Sequence, residues 1–125
     1  MTQRLVGFRF PYIPLRIAFT AAPQSIDLAV EALVDTGFDG DVIVPASLID
    51  QLAPSAQPDS FVIWRLADGS EVVARAYLGT AELPSIPRSH AVLISVLGDE
   101  PIAGRGLTDR FLLILDHGER IVLEP

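Results

Sequence analysis

Cysteine is missing from the 125-residue chain, so neither a disulfide framework nor a thiolate metal site is available, and the fold must stand on packing. Positive charge is scarce as well. Nine Lys and Arg face sixteen Asp and Glu, and the formal net charge of −7 argues against nucleic acid and anionic membrane as partners. Long hydrophobic runs are absent: no stretch approaches the roughly 20 apolar residues that span a bilayer. No apolar signal-peptide core follows Met1-Thr2-Gln3-Arg4, so the expected location is the cytoplasm. Histidine is limited to His90 and His117, which have no paired ligand spacing, so no metal site is expected from them.

What is present points to a folded protein. Half the residues are hydrophobic and a fifth are charged, which excludes a disordered chain. The length suits a single domain over residues 1–125, with one core. Ten prolines and nine glycines, spread along the chain, predict many short elements joined by turns.

Apolar alternation predicts strands over 4–10, 12–20 and 26–34. Pro11 and Pro14 place at least one of the first two at a sheet edge or a bend. In the third, Ile26, Leu28 and Val30 share one face, and Asp27, Ala29 and Glu31 the other. At Ala32-Leu33-Val34 both faces turn apolar, so the strand enters the interior there. Residues 45–52 suit one or two helical turns with Pro45 at the first helical position. Phe61–Leu66 and Glu71–Leu78 read as a long hairpin around Ala67-Asp68-Gly69-Ser70, because Asp-Gly between β-rich runs is a strong hairpin signal. Pro84 and Pro87 predict a loop, followed by a buried strand over 91–97 and a short helix near 105–110. A last hairpin spans 111–116 and 120–123, turning at His117-Gly118. Many short strands at close spacing make the chain mostly β, a small barrel or sandwich. The apolar run Leu112-Leu113-Ile114-Leu115 is expected to need cover from another subunit.

One stretch carries chemistry. An apolar strand runs straight into Asp35-Thr36-Gly37, turns through Phe38-Asp39-Gly40-Asp41, and leaves as Val42-Ile43-Val44. A strand end is a rigid place to hold a carboxylate; Thr36 sets a hydroxyl beside it, and Gly37 lets another backbone come close. Asp and Gly are also ordinary turn residues, so the tripeptide alone reads equally as a hairpin turn. The motif occurs once, so a partner carboxylate would have to come from a second, identical chain.

In these features the chain resembles the retropepsin-like aspartic proteases, the single-domain homodimeric relatives of pepsin that include the retroviral enzymes. Leu33-Val34-Asp35-Thr36-Gly37 matches the family's apolar-apolar-Asp-Thr-Gly loop. Ile102-Ala103-Gly104, with a short helix from Arg105, matches the later apolar-apolar-Gly segment that packs beneath it. Asp39 and Arg105 occupy the positions of an ion pair that braces the loop in retroviral members. The resemblance implies an all-β fold, a small closed barrel of the retropepsin-like type with one short C-terminal helix.

It also implies a homodimeric endopeptidase in which Asp35 of each subunit forms a dyad, Thr36 bonds across the twofold axis, and the Gly37 carbonyl meets the substrate backbone. The pair would share one proton, because two carboxylates about 3 Å apart cannot both ionise cheaply. The hairpin over 61–78 would be a flap, with Trp64, Leu66, Asp68 and Gly69 as its candidate substrate-binding residues and an extended peptide lying beneath. Trp64 has a simpler role open to it, packing at the flap base. Phe38 replaces the small residue usual in retroviral members, and the single-glycine tip predicts a stiffer or shorter flap. A dimeric protein-binding module that keeps the fold without proteolysis is the alternative.

Other signals are weaker. Gly104-Arg105-Gly106 lacks the third glycine and the βαβ setting of a nucleotide-binding turn. Ser47, His90 and Asp116 have no spacing that supports a triad. Glu31, Asp35, Asp39 and Asp41 lack the ligand periodicity of a calcium loop, and all but Asp35 read as a strand end and a solvated turn.

Overall fold

The computed structural model describes residues 3–7 and 9–125. Met1, Thr2 and Phe8, the last within the strand expected over 4–10, lie outside the described residues. The strands are β1 (Leu5–Gly7), β2 (Tyr12–Ala21), β3 (Gln24–Val34), β4 (Val42–Val44), β5 (Ser60–Arg65), β6 (Glu71–Leu83), β7 (Ile86–Val96), β8 (Ile102–Ala103), β9 (Leu112–Asp116) and β10 (Arg120–Glu124). Two short helices, α1 (Ala46–Leu52) and α2 (Arg105–Thr108), follow β4 and β8.

Six strands close on themselves in the order β2-β3-β8-β4-β7-β6, with β6 returning to pair with β2; β5 hangs from the outer side of β6. Period-2 alternation fills the barrel. Ile13, Leu15, Ile17 and Phe19 of β2 are buried, as are Ile26 and Ala32 of β3, Tyr77 of β6 and Ile94 of β7. Each fully buried aliphatic side chain contributes about 1.5–3 kcal/mol of transfer free energy. Closure depends on Gly79, which pairs with Phe19. A Cβ there would run into the Ala18 carbonyl oxygen and lie 2.8 Å from Ile94 Cδ1, so a side chain would hold β6 away from β2.

The all-β barrel is present, and three details differ from the sequence reading. Where a loop was expected around Pro84 and Pro87, β6 and β7 run on to a tight turn at Pro84-Ser85, with Leu83 opposite Ile86. Ser85 takes φ +69, supplying the left-handed position without a glycine to announce it. His90 therefore lies within β7, opposite Ala81, ahead of the strand expected over 91–97. Pro45 is the N-cap of α1, with extended φ and ψ, rather than its first helical residue.

A separate three-stranded sheet, ordered β1-β10-β9, gathers the two ends of the chain. Among the described residues β10 is paired on both sides, and β9 only with β10. Leu112, Ile114 and Leu115 of β9 are 55%, 39% and 49% exposed, a large apolar exposure for one five-residue strand.

Candidate active site

The loop from Asp35 to Asp41 is strung across the end of β8. That short strand lies between β3 and β4, parallel to the first (Leu33 opposite Ile102, Val34 opposite Ala103) and antiparallel to the second. Both ends of the loop are therefore fixed by sheet pairing. Asp35 N–H donates to the Ala103 carbonyl at 3.0 Å, and Gly104 N–H donates to the Asp41 carbonyl at 2.9 Å.

The first residues of α2 complete the clamp. Arg105 N–H donates to Phe38 O at 2.7 Å and Gly106 N–H to Gly40 O at 3.0 Å, so amides without helical partners are satisfied by the loop. So close an approach needs glycine at both places. A Cβ on Gly104 would strike the Gly40 carbonyl oxygen, and one on Gly106 would strike Asp41 Oδ1. Arg105 Nη2 donates to Asp39 Oδ1 at 2.8 Å, an exposed ion pair across the outside of the clamp.

The four acidic residues of this region have separate fates. Glu31 pairs with Arg9 at 2.8 Å, and Asp39 with Arg105. Asp41, read from the sequence as part of a solvated turn, is instead a cross-brace. Its Oδ2 accepts the Leu93 N–H at 2.8 Å, its Oδ1 lies 3.8 Å from Arg110 Nη2, and its side chain is only 20% exposed. A carboxylate that satisfies a backbone amide of β7 while facing α2 ties three segments together. Asp35 is the exception. It is half-buried, its Oδ1 accepts the Gly37 N–H at 2.9 Å, and no ion pair among the described residues involves it. Thr36 and Gly37 are exposed.

A cleft of about 540 Å³ opens over Asp35 and Gly37. Phe38, Ile43, Leu97 and Ile102 line it from the barrel, and Trp64 to Ala67 from the hairpin. The arms of that hairpin are β5 and the first half of β6, paired from Ser60–Ala76 to Arg65–Glu71. Its turn is closed by Gly69 N–H to Leu66 O at 2.9 Å, with Gly69 at φ +86, and by Leu66 N–H to Ser70 O at 2.8 Å. Asp68 Oδ1 accepts from the Ser70 hydroxyl at 2.6 Å and from its amide at 2.9 Å. The hydroxyl first, then the amide, hold the Asp68 carboxyl below the usual carboxylate range. Trp64 is half-buried against the loop: its ring meets Phe38 edge-on at 4.8 Å, and its Nε1 donates to Ser95 Oγ at 3.0 Å.

A carboxylate at a strand end, clamped by a short helix and faced by a hairpin, decides the architecture. The fold is that of a retropepsin-like aspartic protease. It is shared with the crystal structure of a retropepsin-like aspartic protease from Rickettsia conorii, at 16% sequence identity and a TM-score of 0.66, over 99% of this chain and 92% of that one. A crystal structure of the retroviral protease-like domain of Ddi1 from Leishmania major aligns over 85% of this chain and 80% of its own, at 15% identity and a TM-score of 0.42. No protein-family model and no curated protein matches the sequence.

Within this retropepsin-like fold, Asp35, Gly37, Trp64 and Leu66 meet at one cleft, whereas Asp68 and Gly69 lie beyond its lining, at the hairpin tip. Asp39 and Arg105 stand on the outer side of the loop, exposed. Sequence reasoning missed Asp41, Ser95 and the lining residues Ile43, Leu97 and Ile102. Two signals were there to be read: Ser95 is the lone hydroxyl inside the buried run 91–97, and Asp41 immediately precedes an entirely apolar strand. No group of three or more His, Asp or Glu that could hold a metal ion occurs among the described residues. Nor is any helix among them long and apolar enough to cross a membrane.

Proposed function

We propose that the protein is an aspartic endopeptidase that acts on extended polypeptides as a homodimer, each chain being one domain that supplies half of the active site. The observation that carries this reading is Asp35 itself. It is clamped at a strand end, without a cationic partner among the described residues, and open to a largely apolar cleft roofed by a hairpin. One carboxylate cannot act as base and acid at once, so a second is needed, and the chain holds one Asp-Thr-Gly.

Asp35 of a second copy would meet it across a twofold axis. The ionised member of the pair takes a proton from a water held between them. The water oxygen bonds to the scissile carbonyl carbon, while the protonated member gives its proton to the carbonyl oxygen. As the tetrahedral adduct collapses, one of its hydroxyls returns its proton to the pair and re-forms the C=O bond. The C–N bond breaks, and the departing nitrogen takes the proton the pair already held, so one proton stays on the pair. Thr36 bonds across the axis, the Gly37 carbonyl receives the substrate backbone, and the Asp39–Arg105 pair braces the loop from outside. Trp64 and Leu66 contact the substrate from the hairpin, with Asp68 and Gly69 shaping its tip. No cofactor enters the scheme. The exposed apolar face of β9, an unpaired edge, supports the dimer because a second copy would cover it.

A peptide-library digest with the native protein and Asp35→Asn, at several pH values, tests the reading. Cleavage by the native protein alone, strongest at acidic to mildly acidic pH where the pair retains its proton, is expected. Equal cleavage by both proteins would exclude Asp35 as the catalyst. Cleavage by neither would leave a dimeric protein-binding module.

A further inference from the structure

Phe38 belongs to the loop that carries Asp35, yet the hydrolytic scheme gives it no part. Its ring has a fixed seat. Gly40 and Gly104 cede their side-chain space to it: a Cβ on Gly40 would collide with Phe38 Cζ, and one on Gly104 with Phe38 Cδ2. Trp64 closes the seat from the hairpin side, 4.8 Å away and edge-on at 70°. The indole N–H is already spent on Ser95 Oγ, whose residue is only 1% exposed. This wall therefore turns an apolar surface, and no indole donor, toward the cleft.

Phe38 is half-buried, adjoins Gly37 in sequence, and lines the same cleft as Asp35. To swing aside, the ring would have to give up its packing against Gly40, Gly104 and the tethered Trp64 indole.

We propose that Phe38 is a specificity-determining residue. Its seated ring fills the space beside Asp35 that would otherwise take a substrate side chain, so the cleft accepts extended peptides with a small residue (Gly, Ala or Ser) at the position facing it. This inference rests on the peptide-binding reading above, and binding can be followed apart from catalysis. Trp64 is the chain's sole tryptophan and touches the ring, so its emission reports occupancy of the cleft without turnover.

The experiment titrates Asp35→Asn protein, carrying Phe38, Phe38→Leu or Phe38→Ala, with extended peptides whose two central residues are Ala-Ala, Leu-Leu or Phe-Phe. With Phe38 in place, the alanine peptide is expected to bind about tenfold tighter than the bulky ones. Phe38→Ala should erase or reverse that order, and Phe38→Leu should fall between. Thermal melting identifies a Phe38→Ala variant that fails to fold, in which case Phe38→Leu carries the comparison. A ranking unchanged across the variants, or a preference for bulky peptides with Phe38 present, overturns the assignment. Size selection without any Asp35-dependent cleavage by the native protein upholds it and removes only the catalysis. Binding of no peptide by any variant overturns both this assignment and the peptide-binding reading.

Discussion

The two walls of the cleft are held in different ways. The wall that carries Asp35 is fastened by four backbone hydrogen bonds to β8 and α2, by the Asp41 carboxylate on Leu93 N–H, and by the outer Asp39–Arg105 pair. The opposite wall is an edge hairpin. Among the described residues β5 pairs only with β6, and the one side-chain hydrogen bond from β5 itself to the barrel is the Trp64 indole on Ser95. Fixing a reacting carboxylate within a fraction of an ångström favours dense, redundant bonding, whereas admitting a polypeptide favours a wall with few bonds to break. The difference assigns rigidity to the chemistry and freedom to the entrance.

Substitutions can break this contrast from either side. Gly104→Ala should have the largest effect. Its methyl would meet the Gly40 carbonyl and the Phe38 ring, costing about 3 kcal/mol, the upper end for overpacking, and denaturant unfolding would read the loss. Asp41→Ala comes next. It leaves the Leu93 amide without its acceptor and Arg110 without its nearest carboxylate, for about 2 kcal/mol of global stability by the same measurement.

Ser95→Ala should cost only about 1 kcal/mol, and the loss should be local: amide exchange accelerates over residues 60–71 and hardly changes over 35–41. A Ser95→Ala variant destabilised as much as Asp41→Ala would erase the contrast.

The smallest effect is expected from pH. His90 packs edge-on against Phe111 with its Nε2 buried and unpartnered. Burial first, then the charges of Arg110 and Arg88, push its imidazole below the ordinary 6.5. The unfolded chain thus binds this proton more readily than the folded one, so stability declines as pH falls below about 6.5. Unfolding free energies of the native protein and His90→Gln, compared between neutral and mildly acidic pH, should show a shallower decline for the variant.

Legibility followed the same division. The Asp35 loop could be read because its parts announce themselves locally: a period-2 strand, an Asp-Thr-Gly turn, and an apolar-apolar-Gly segment beside Arg105. The barrel's middle could not. Pro84 and Pro87 break a strand signal, and Ser85 supplies a left-handed turn that carries no glycine, so the tight hairpin between β6 and β7 was read as a loop. Asp41 escaped because its main partner is a backbone amide, and every residue offers one. The Trp64–Ser95 bond joins strands 31 residues apart with no periodicity to link them, and Phe38 revealed its seat only once Gly40 and Gly104 were found on either side of it.

Whether the active site forms between two copies is tested most directly by specific activity on a cleaved peptide, measured down a dilution series beside sedimentation of the same samples. If Asp35 needs its counterpart, activity per chain falls in step with the dimer fraction and vanishes where only monomers sediment. Constant activity per chain in samples that are wholly monomeric would contradict the shared site.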